Sequence, residues 1–228
     1  MKAFLPCRAG SQRVKFKNTR PFAGNKNGLL GLKLEQLIDC TEIDEIIVST
    51  NDPLVEVIAE SFKSPKVRVD NRPDYLCDDD ATTDSLIDYV ANLFLNEHFL
   101  WTHVTCPFFD SECYTKAINN YLLCLKNQTH DSLMGVKRIQ TFLWDQDGPL
   151  YNRDKLKWPF TQSIEPIYEV DSTIFIVHSD LAKSLCDRIG VNPFLFENDS
   201  IASFDIDFTS EFTAAEKLWI SENVNKGE

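Results

Sequence analysis

The chain has 228 residues, 43% of them apolar, and a formal net charge of −12. This length and apolar content predict one globular domain over residues 1–228, and the negative charge excludes a nucleic acid polymer as partner because most of the surface would repel it. No apolar stretch is long enough to cross a membrane, and the first residues do not read as a secretory signal. The seven scattered cysteines are typical of reduced thiols, so a cytoplasmic enzyme is expected.

Positive charge is concentrated at the beginning of the chain. Residues 1–34 contain eight basic side chains and no acidic one, so the other 194 residues carry 15 basic and 35 acidic side chains. Such a segment on an acidic protein predicts a local anionic ligand. The alternative is a solvated basic loop.

Short β-branched or apolar runs alternate with segments of helical periodicity along most of the chain. Strands are predicted at residues 3–6, 45–49, 66–69, 101–105, 131–138, 172–177 and 202–207. Helices are predicted at residues 29–38, 53–62, 82–94, 112–125, 179–188 and 209–224. In the second helix, Leu54, Val57, Ile58 and Phe62 are expected to line the inward face.

This alternation predicts an α/β fold, a Rossmann-like, doubly wound, mostly parallel sheet with helices on both faces. The rhythm breaks at about residues 139–170. Trp144, Gly148 and Trp158 there predict hairpins or an inserted arm.

In such a sheet, ligands bind beyond the carboxyl ends of the strands. The loop after the first strand lies there and offers Gly10 and Ser11 for close approach of the backbone to an anion. Arg8 and Lys17 supply positive charge in the same loop. These four residues are candidates for phosphate binding. The alternative for Arg8 and Lys17 is a role in surface salt bridges.

Two further loops fall at the same edge of the sheet. One contains Arg72 and the acidic run 78–80, which leads into Thr82 and Thr83. The other follows the fourth predicted strand and begins at His103, which is either a ligand contact or a hydrogen-bonded residue at the strand end.

Asp205 and Asp207 occupy alternate positions of the last predicted strand, so both are expected on one face. Paired carboxylates suit Mg²⁺, which prefers oxygen ligands; the alternative is that Asp207 caps the final helix. With the basic loop, the pair predicts transfer chemistry on a nucleoside triphosphate. Walker, dinucleotide-binding and nucleophile-elbow motifs are absent from the sequence.

The motif from Arg8 to Arg13, Arg-Ala-Gly-Ser-Gln-Arg, is followed by Lys17-Asn18. It resembles the Arg-x-Gly-Ser-Lys-x…Lys-Asn signature of the acylneuraminate cytidylyltransferases, the CMP-sialic acid synthetases. Further similar blocks follow in the same order over nearly the whole chain, at residues 20–24, 47–52, 72–76, 105–107 and 204–207.

The resemblance implies a nucleotide-diphospho-sugar transferase type of fold and the transfer of CMP from CTP to the anomeric hydroxyl of a 2-keto sugar acid, a sialic-acid-like nonulosonate. Pyrophosphate is released and Mg²⁺ is required. It also implies a homodimer formed through an arm at about residues 139–165. Matched to the family's motifs, the catalytic residues are Arg8, Lys17 and Asp207, and the metal ligands are Asp205 and Asp207. The implied nucleotide-binding residues are Cys7, Arg8, Gly10, Ser11, Lys17, Asn18, Arg72, Asp79, Thr83 and His103.

The segments expected to bind the acceptor depart from the family pattern more than those expected to bind the nucleotide. His103 stands where the family has Gln, Phe109 where it has Arg, and residues 137–144 replace a His-Pro-x-Lys type of segment. Three alternatives therefore stay open: another anionic acceptor such as an octulosonate or a phosphonate, another nucleotide, or a nucleotide-binding module without catalysis.

Overall fold

The computed structural model describes residues 1–78 and 80–224. The helices are α1 (Gly28–Asp39), α2 (Pro53–Ser61), α3 (Thr83–Leu93), α4 (Ser111–Asn127), α5 (Ser179–Leu185) and α6 (Thr209–Val224). The strands are β1 (Lys2–Pro6), β2 (Glu45–Thr50), β3 (Val67–Asn71), β4 (His98–Trp101), β5 (Ser132–Ile139), β6 (Trp144–Asp145), β7 (Gly148–Pro149), β8 (Ile167–His178) and β9 (Pro193–Asn198). No helix among the described residues is long and apolar enough to cross a membrane.

Seven of these strands form one sheet in the order β3-β2-β1-β4-β8-β5-β9. β8 runs antiparallel to its neighbours β4 and β5, and every other pairing in this sheet is parallel. The prediction of a mostly parallel sheet is therefore confirmed.

Helices cover both faces of the sheet. The larger apolar cluster joins the sheet to α1, α2, α4 and α6, through residues such as Leu30, Tyr114 and Phe212. A smaller cluster on the other face joins it to α3 and α5, through Val90 and Ala182. The fold is thus doubly wound, as predicted.

The α2 helix begins as expected but presents a different face to the core. The Asp52 side chain accepts a hydrogen bond from the Leu54 backbone N–H at 3.0 Å, which caps the helix. Leu54 and Val57 are exposed, whereas Val55, Ile58 and Ala59 are buried. The predicted inward face was wrong for the first two because neighbouring elements, not periodicity alone, decide which side of a short helix is covered.

The predicted strand at 202–207 was also wrong. Residues 199–208 form turns and irregular chain, and the strand in this region is β9, which pairs in parallel with β5. Ala202 and Ile206 are buried, and Ile206 donates its N–H to the Thr105 carbonyl at 2.9 Å. The alternation of apolar and polar residues at 202–207 therefore arises from burial beside the loop after β4 and not from strand pairing.

β4 is displaced toward the N-terminus from its predicted position of 101–105. It ends at Trp101, so His103 lies in the loop beyond its carboxyl end. This displacement brings His103 to the edge of the sheet where ligands bind in such folds.

Between β5 and β8 the chain leaves the sheet. β6 and β7 pair as a small antiparallel hairpin, and the Arg153 guanidinium lies over the rings of Trp144, Tyr151 and Trp158 at 5.3–6.0 Å. Residues 139–165 are called the arm below, and their role in a dimer stays a prediction.

Candidate functional site

A cleft of about 460 Å³ opens beyond the carboxyl ends of β1, β3 and β4. Parallel strands end at one edge of a sheet, so the loops that follow them converge there. Of the sequence-predicted residues, those that line the cleft are Arg8, Ser11, Lys17, Asn18, Arg72, Thr83 and His103. Cys7, Gly10, Asp205 and Asp207 are not part of its lining, and Asp79 lies outside the described residues.

The loop after β1 is held in place at both ends of the basic motif. Arg8 donates from Nη1 to the Cys77 carbonyl at 2.8 Å. Asn18 donates from Nδ2 to the Arg8 carbonyl at 3.4 Å. Gly10 has φ +80°, and a Cβ at this residue would meet no atom within 4 Å, so backbone conformation, not space, calls for glycine there.

The basic loop meets the Asp205–Asp207 segment at one end of the cleft. Arg13 forms an ion pair with Asp207 at 2.8 Å, and Lys17 Nζ lies 3.8 Å from the same carboxylate oxygen. Lys17 also donates to the Ile206 carbonyl at 2.9 Å. Burial lowers the pKa of Lys17, while Asp207 and Asp205 act in the opposite direction.

Asp205 carries an unsatisfied oxygen. Its Oδ1 is buried and has no hydrogen-bond partner among the described residues. Such an atom lowers the stability of the fold by about 1–3 kcal/mol when left unpaired.

Asp207 is held through its backbone. Glu211 Oε2 accepts the N–H groups of Asp207 and Phe208 at 2.7 and 2.9 Å, which fixes the segment at the start of α6.

On the side of β2 and β3, Arg72 is 5% exposed and donates to the Ser49 hydroxyl at 3.1 Å and the Ser49 carbonyl at 2.9 Å. Burial lowers its pKa. Thr83 opens α3, after Thr82 has capped the helix by accepting the Ser85 N–H at 3.2 Å. Cys7 is 1% exposed in the core, and burial raises the pKa of its thiol to about 12.

The surroundings of His103 favour the neutral imidazole. Burial and the positive charges of Arg188, Lys17, Arg72 and Lys33 lower its pKa to about 3. Its Nε2 lies 3.1 Å from Trp101 Nε1 and 3.3 Å from Arg188 Nη1. Both partners can only donate, so Nε2 accepts and the ring proton is assigned to Nδ1.

Arg188 lines the cleft and was missed by sequence reasoning. It follows α5 in a stretch that was predicted to be helical, and its guanidinium lies 3.9 Å from the centroid of the Phe175 ring. No local motif surrounds it. The available signal was one basic residue at the end of the helix predicted at 179–188.

The cleft therefore combines cations from three separate parts of the chain. Arg8, Arg13 and Lys17 come from the loop after β1, Arg72 from the end of β3, and Arg188 from the loop after α5. Cations and N–H donors in a partly enclosed site stabilise phosphate and carboxylate groups more strongly than they do in bulk water. The arrangement is suited to binding a polyanion and stabilising charge that develops on it.

Two of the solved structures with the same fold are named as synthetases or synthases of cytidylyl compounds. CMP:2-keto-3-deoxy-manno-octonic acid synthetase complexed with CTP is 16% identical, with a TM-score of 0.66 over 96% of this chain and 98% of that one. The 4-diphosphocytidyl-2C-methyl-D-erythritol synthase of Anaerococcus prevotii is 14% identical, with a TM-score of 0.67 over 96% and 95% of the two chains. At these identities the likeness shows the fold alone.

Curated protein sequences contain no match to this chain. A model of the cytidylyltransferase family, in contrast, matches residues 3–226, which is almost the entire chain and includes both the basic loop and the Asp205–Asp207 segment. On the strength of that match, the chain belongs to the cytidylyltransferase family.

Proposed function

We propose that this protein transfers the cytidylyl group of CTP to the anomeric hydroxyl of a 2-keto sugar acid, releasing pyrophosphate with the help of Mg²⁺. The observation that carries the proposal is the meeting of the basic loop with the Asp205–Asp207 segment: Arg13 and Lys17 pair with Asp207, and Lys17 also feels the charge of Asp205. Membership of the family and the structural neighbour complexed with CTP support the choice of nucleotide.

In this reaction the acceptor hydroxyl oxygen forms a bond to the α-phosphorus of CTP. The bond from that phosphorus to the oxygen that bridges to the β-phosphate breaks, and the hydroxyl proton leaves to solvent. Negative charge grows on the non-bridging oxygens and on the departing pyrophosphate. Arg8 and Lys17 are the side chains proposed to stabilise it, with Gly10, Ser11 and Asn18 orienting the nucleotide.

Asp205 and Asp207 are the proposed holders of Mg²⁺. The buried, unpartnered Oδ1 of Asp205 fits a hard cation, which takes carboxylate oxygens as ligands. When bound, the ion supplies charge neutralisation at phosphate oxygens. Lys17 lies close to both carboxylates and raises the density of positive charge there.

His103 does not serve as the general base. Its pKa of about 3 keeps it neutral at physiological pH, and its Nε2 already accepts from Trp101 and Arg188. Its Nδ1–H is a donor, so the residue binds ligand rather than removing a proton. Arg72 and Thr83 are the proposed contacts of the nucleoside, whereas Cys7 is buried in the core and receives no ligand contact.

The proposal is tested by pyrophosphate release from CTP, ATP, GTP and UTP, each with a panel of acceptors. We expect release from CTP with N-acetylneuraminate or 3-deoxy-manno-octulosonate and none from the other nucleotides. Release only with methylerythritol phosphate would overturn the acceptor class. Tight CTP binding by calorimetry without release with any acceptor would instead establish a binding module.

We further propose that the arm joins two copies of the chain. Trp144, Trp158 and Phe160 are 55%, 65% and 81% exposed, a large apolar surface for one small segment. Sedimentation is expected to show a dimer for the wild type and a monomer for Trp158→Glu. A wild-type monomer at all concentrations would contradict this assignment.

A further inference from the structure

Arg188 stands on a loop whose backbone is fastened on both sides. Asp187 donates its N–H to the Ala182 carbonyl at 3.1 Å, and the Asp187 carboxylate accepts the Ile189 N–H at 3.1 Å. Gly190 donates to the Ser132 hydroxyl at 2.9 Å. The guanidinium is therefore presented to the cleft from a fixed position.

Burial lowers the pKa of Arg188 and the charge of Asp187 acts in the opposite direction, but no described residue pairs with Arg188 in a salt bridge. Among the described residues, no acidic oxygen lies within salt-bridge distance, and its one hydrogen bond goes to His103 Nε2 at 3.3 Å. Its guanidinium carbon lies 3.9 Å from the Phe175 ring centroid and 5.4 Å from that of Trp101. The neighbouring Asp187 faces its own loop, where it accepts the Ile189 N–H.

Packing of the guanidinium over the Phe175 ring restricts its movement and leaves its N–H groups available. A planar fork of this kind matches a carboxylate in bidentate fashion. None of its nitrogens is among the buried polar atoms that lack a partner, so its unused donors are accessible from the cleft. The Nδ1–H of His103 is a further donor at the same wall.

The position of Arg188 separates it from the proposed triphosphate site. Arg8, Arg13 and Lys17 follow β1, while Phe175, under Arg188, belongs to β8 on the far side of β4 in the sheet order. In the proposed function, Arg8 and Lys17 of the first loop serve the anionic part of CTP. The remaining anion in the proposed reaction is the carboxylate of the acceptor.

We propose that Arg188 binds the carboxylate of the sugar-acid acceptor, with His103 as a second donor. This inference rests on the proposed function and names the residue that selects the acceptor. It explains why a partly buried cation packs over Phe175 and Trp101 with no acidic side chain within salt-bridge distance among the described residues: the partner arrives with the substrate.

The test compares Arg188→Met with Arg153→Met, a matched control in which the lost guanidinium also packs over aromatic rings but lies on the arm. Pyruvate, the smallest 2-keto acid, and its neutral methyl ester are titrated into CTP-loaded, metal-free protein and followed by saturation-transfer NMR. We expect pyruvate binding to weaken roughly 10- to 100-fold in Arg188→Met, as for loss of a charge-assisted hydrogen-bonded pair. Methyl pyruvate binding and CTP affinity stay within about twofold of wild type.

Turnover provides a second readout. With an active sugar acid, the acceptor KM is expected to rise in Arg188→Met by the same roughly 10- to 100-fold while the KM for CTP is unchanged. Where Arg188→Met does not fold, Arg188→Lys keeps the charge without the fork and is expected to weaken pyruvate binding by about threefold or more.

The two proposals fail in different ways. Wild-type protein that binds pyruvate no better than its methyl ester, or a variant that keeps wild-type pyruvate binding, overturns the role of Arg188 whether or not the enzyme turns over. A raised KM for CTP in Arg188→Met also overturns it, because the residue would then serve the nucleotide. Pyruvate binding that depends on Arg188, without pyrophosphate release for any acceptor, refutes the proposed reaction and leaves the carboxylate site standing.

Discussion

Asp205→Asn removes one charge and almost no volume from the proposed metal site. The Asp205 Oδ1 atom is buried without a hydrogen-bond partner, a situation that costs about 1–3 kcal/mol. Against this stands the attraction between the Asp205 carboxylate and Lys17, which partly offsets the lowering of the lysine pKa by burial. Because these effects oppose each other, we expect the free energy of unfolding of the metal-free variant to stay within about 1 kcal/mol of wild type or to exceed it.

Added Mg²⁺ is expected to change the difference in the free energy of unfolding between wild type and Asp205→Asn. A ligand that binds only the folded state adds about 2.7 kcal/mol of stability at a hundred times its dissociation constant. Urea unfolding of the CTP-loaded protein is measured with MgCl₂ and with a chelator. We expect the wild type to gain stability with Mg²⁺ and Asp205→Asn to lose that gain together with pyrophosphate release.

Glu112→Gln is the matched control, since it also removes one carboxylate charge, from a residue that is exposed in α4 and forms a surface pair with Lys116. It is expected to keep the full response to Mg²⁺. Two results would refute the reasoning. One is a loss of more than about 2 kcal/mol in the metal-free Asp205→Asn protein, which would mark the carboxylate as a structural partner; the other is an undiminished response to Mg²⁺ in that variant.

Three further outcomes are expected. Lys17→Met lowers kcat/KM for CTP by roughly 100- to 1,000-fold, as for loss of one preorganised donor to the transition state; steady-state kinetics check this, and a decrease below about tenfold would contradict it. Burial and nearby positive charges lower the pKa of His103 to about 3, so below about 6.5 the unfolded chain binds a proton that the folded chain does not, and stability falls as the pH falls toward 3. His103→Gln removes this loss, and its urea midpoint relative to wild type should rise as the pH falls through that window; a constant difference would show that His103 does not titrate in this way. Gly190→Ala places a Cβ against the Asp131 carboxylate and 2.6 Å from the Ser132 hydroxyl, so we expect a loss of about 1–3 kcal/mol in urea unfolding and a higher acceptor KM as the Arg188 loop shifts; unchanged stability would show that Asp131 and Ser132 move aside.

Local sequence patterns were sufficient to predict most strands of the sheet and most of its helices. The predicted helix at 209–224 coincides with α6, and the β-branched run at 45–49 lies within β2. Alternating strands and helices also led to a doubly wound, mostly parallel sheet, because the connection between parallel strands needs a helix-length crossover. Much of the candidate site follows from the same topology, since loops after parallel strands converge at one edge.

The positions of Ile206, Cys7 and Arg188 could not be predicted, because they depend on contacts between distant parts of the chain. The apolar alternation around Ile206 reads as a strand, but that residue packs beside the loop after β4 while the strand forms at β9. Cys7 directly precedes the basic motif, yet it lies in the core behind the cleft. The burial of a side chain is decided by whatever packs over it, and neighbours in sequence do not report that.

Arg188 shows the limit most clearly. In sequence it is one basic residue after a helix, and its neighbours carry no motif. In the folded chain it lies over Phe175 of β8, contacts His103 from the loop after β4, and has no acidic partner among the described residues. The basic loop was visible in the sequence because its charges are adjacent along the chain. Arg188 and its hydrogen-bond partner His103 are 85 positions apart, so only tertiary packing brings them into one cleft.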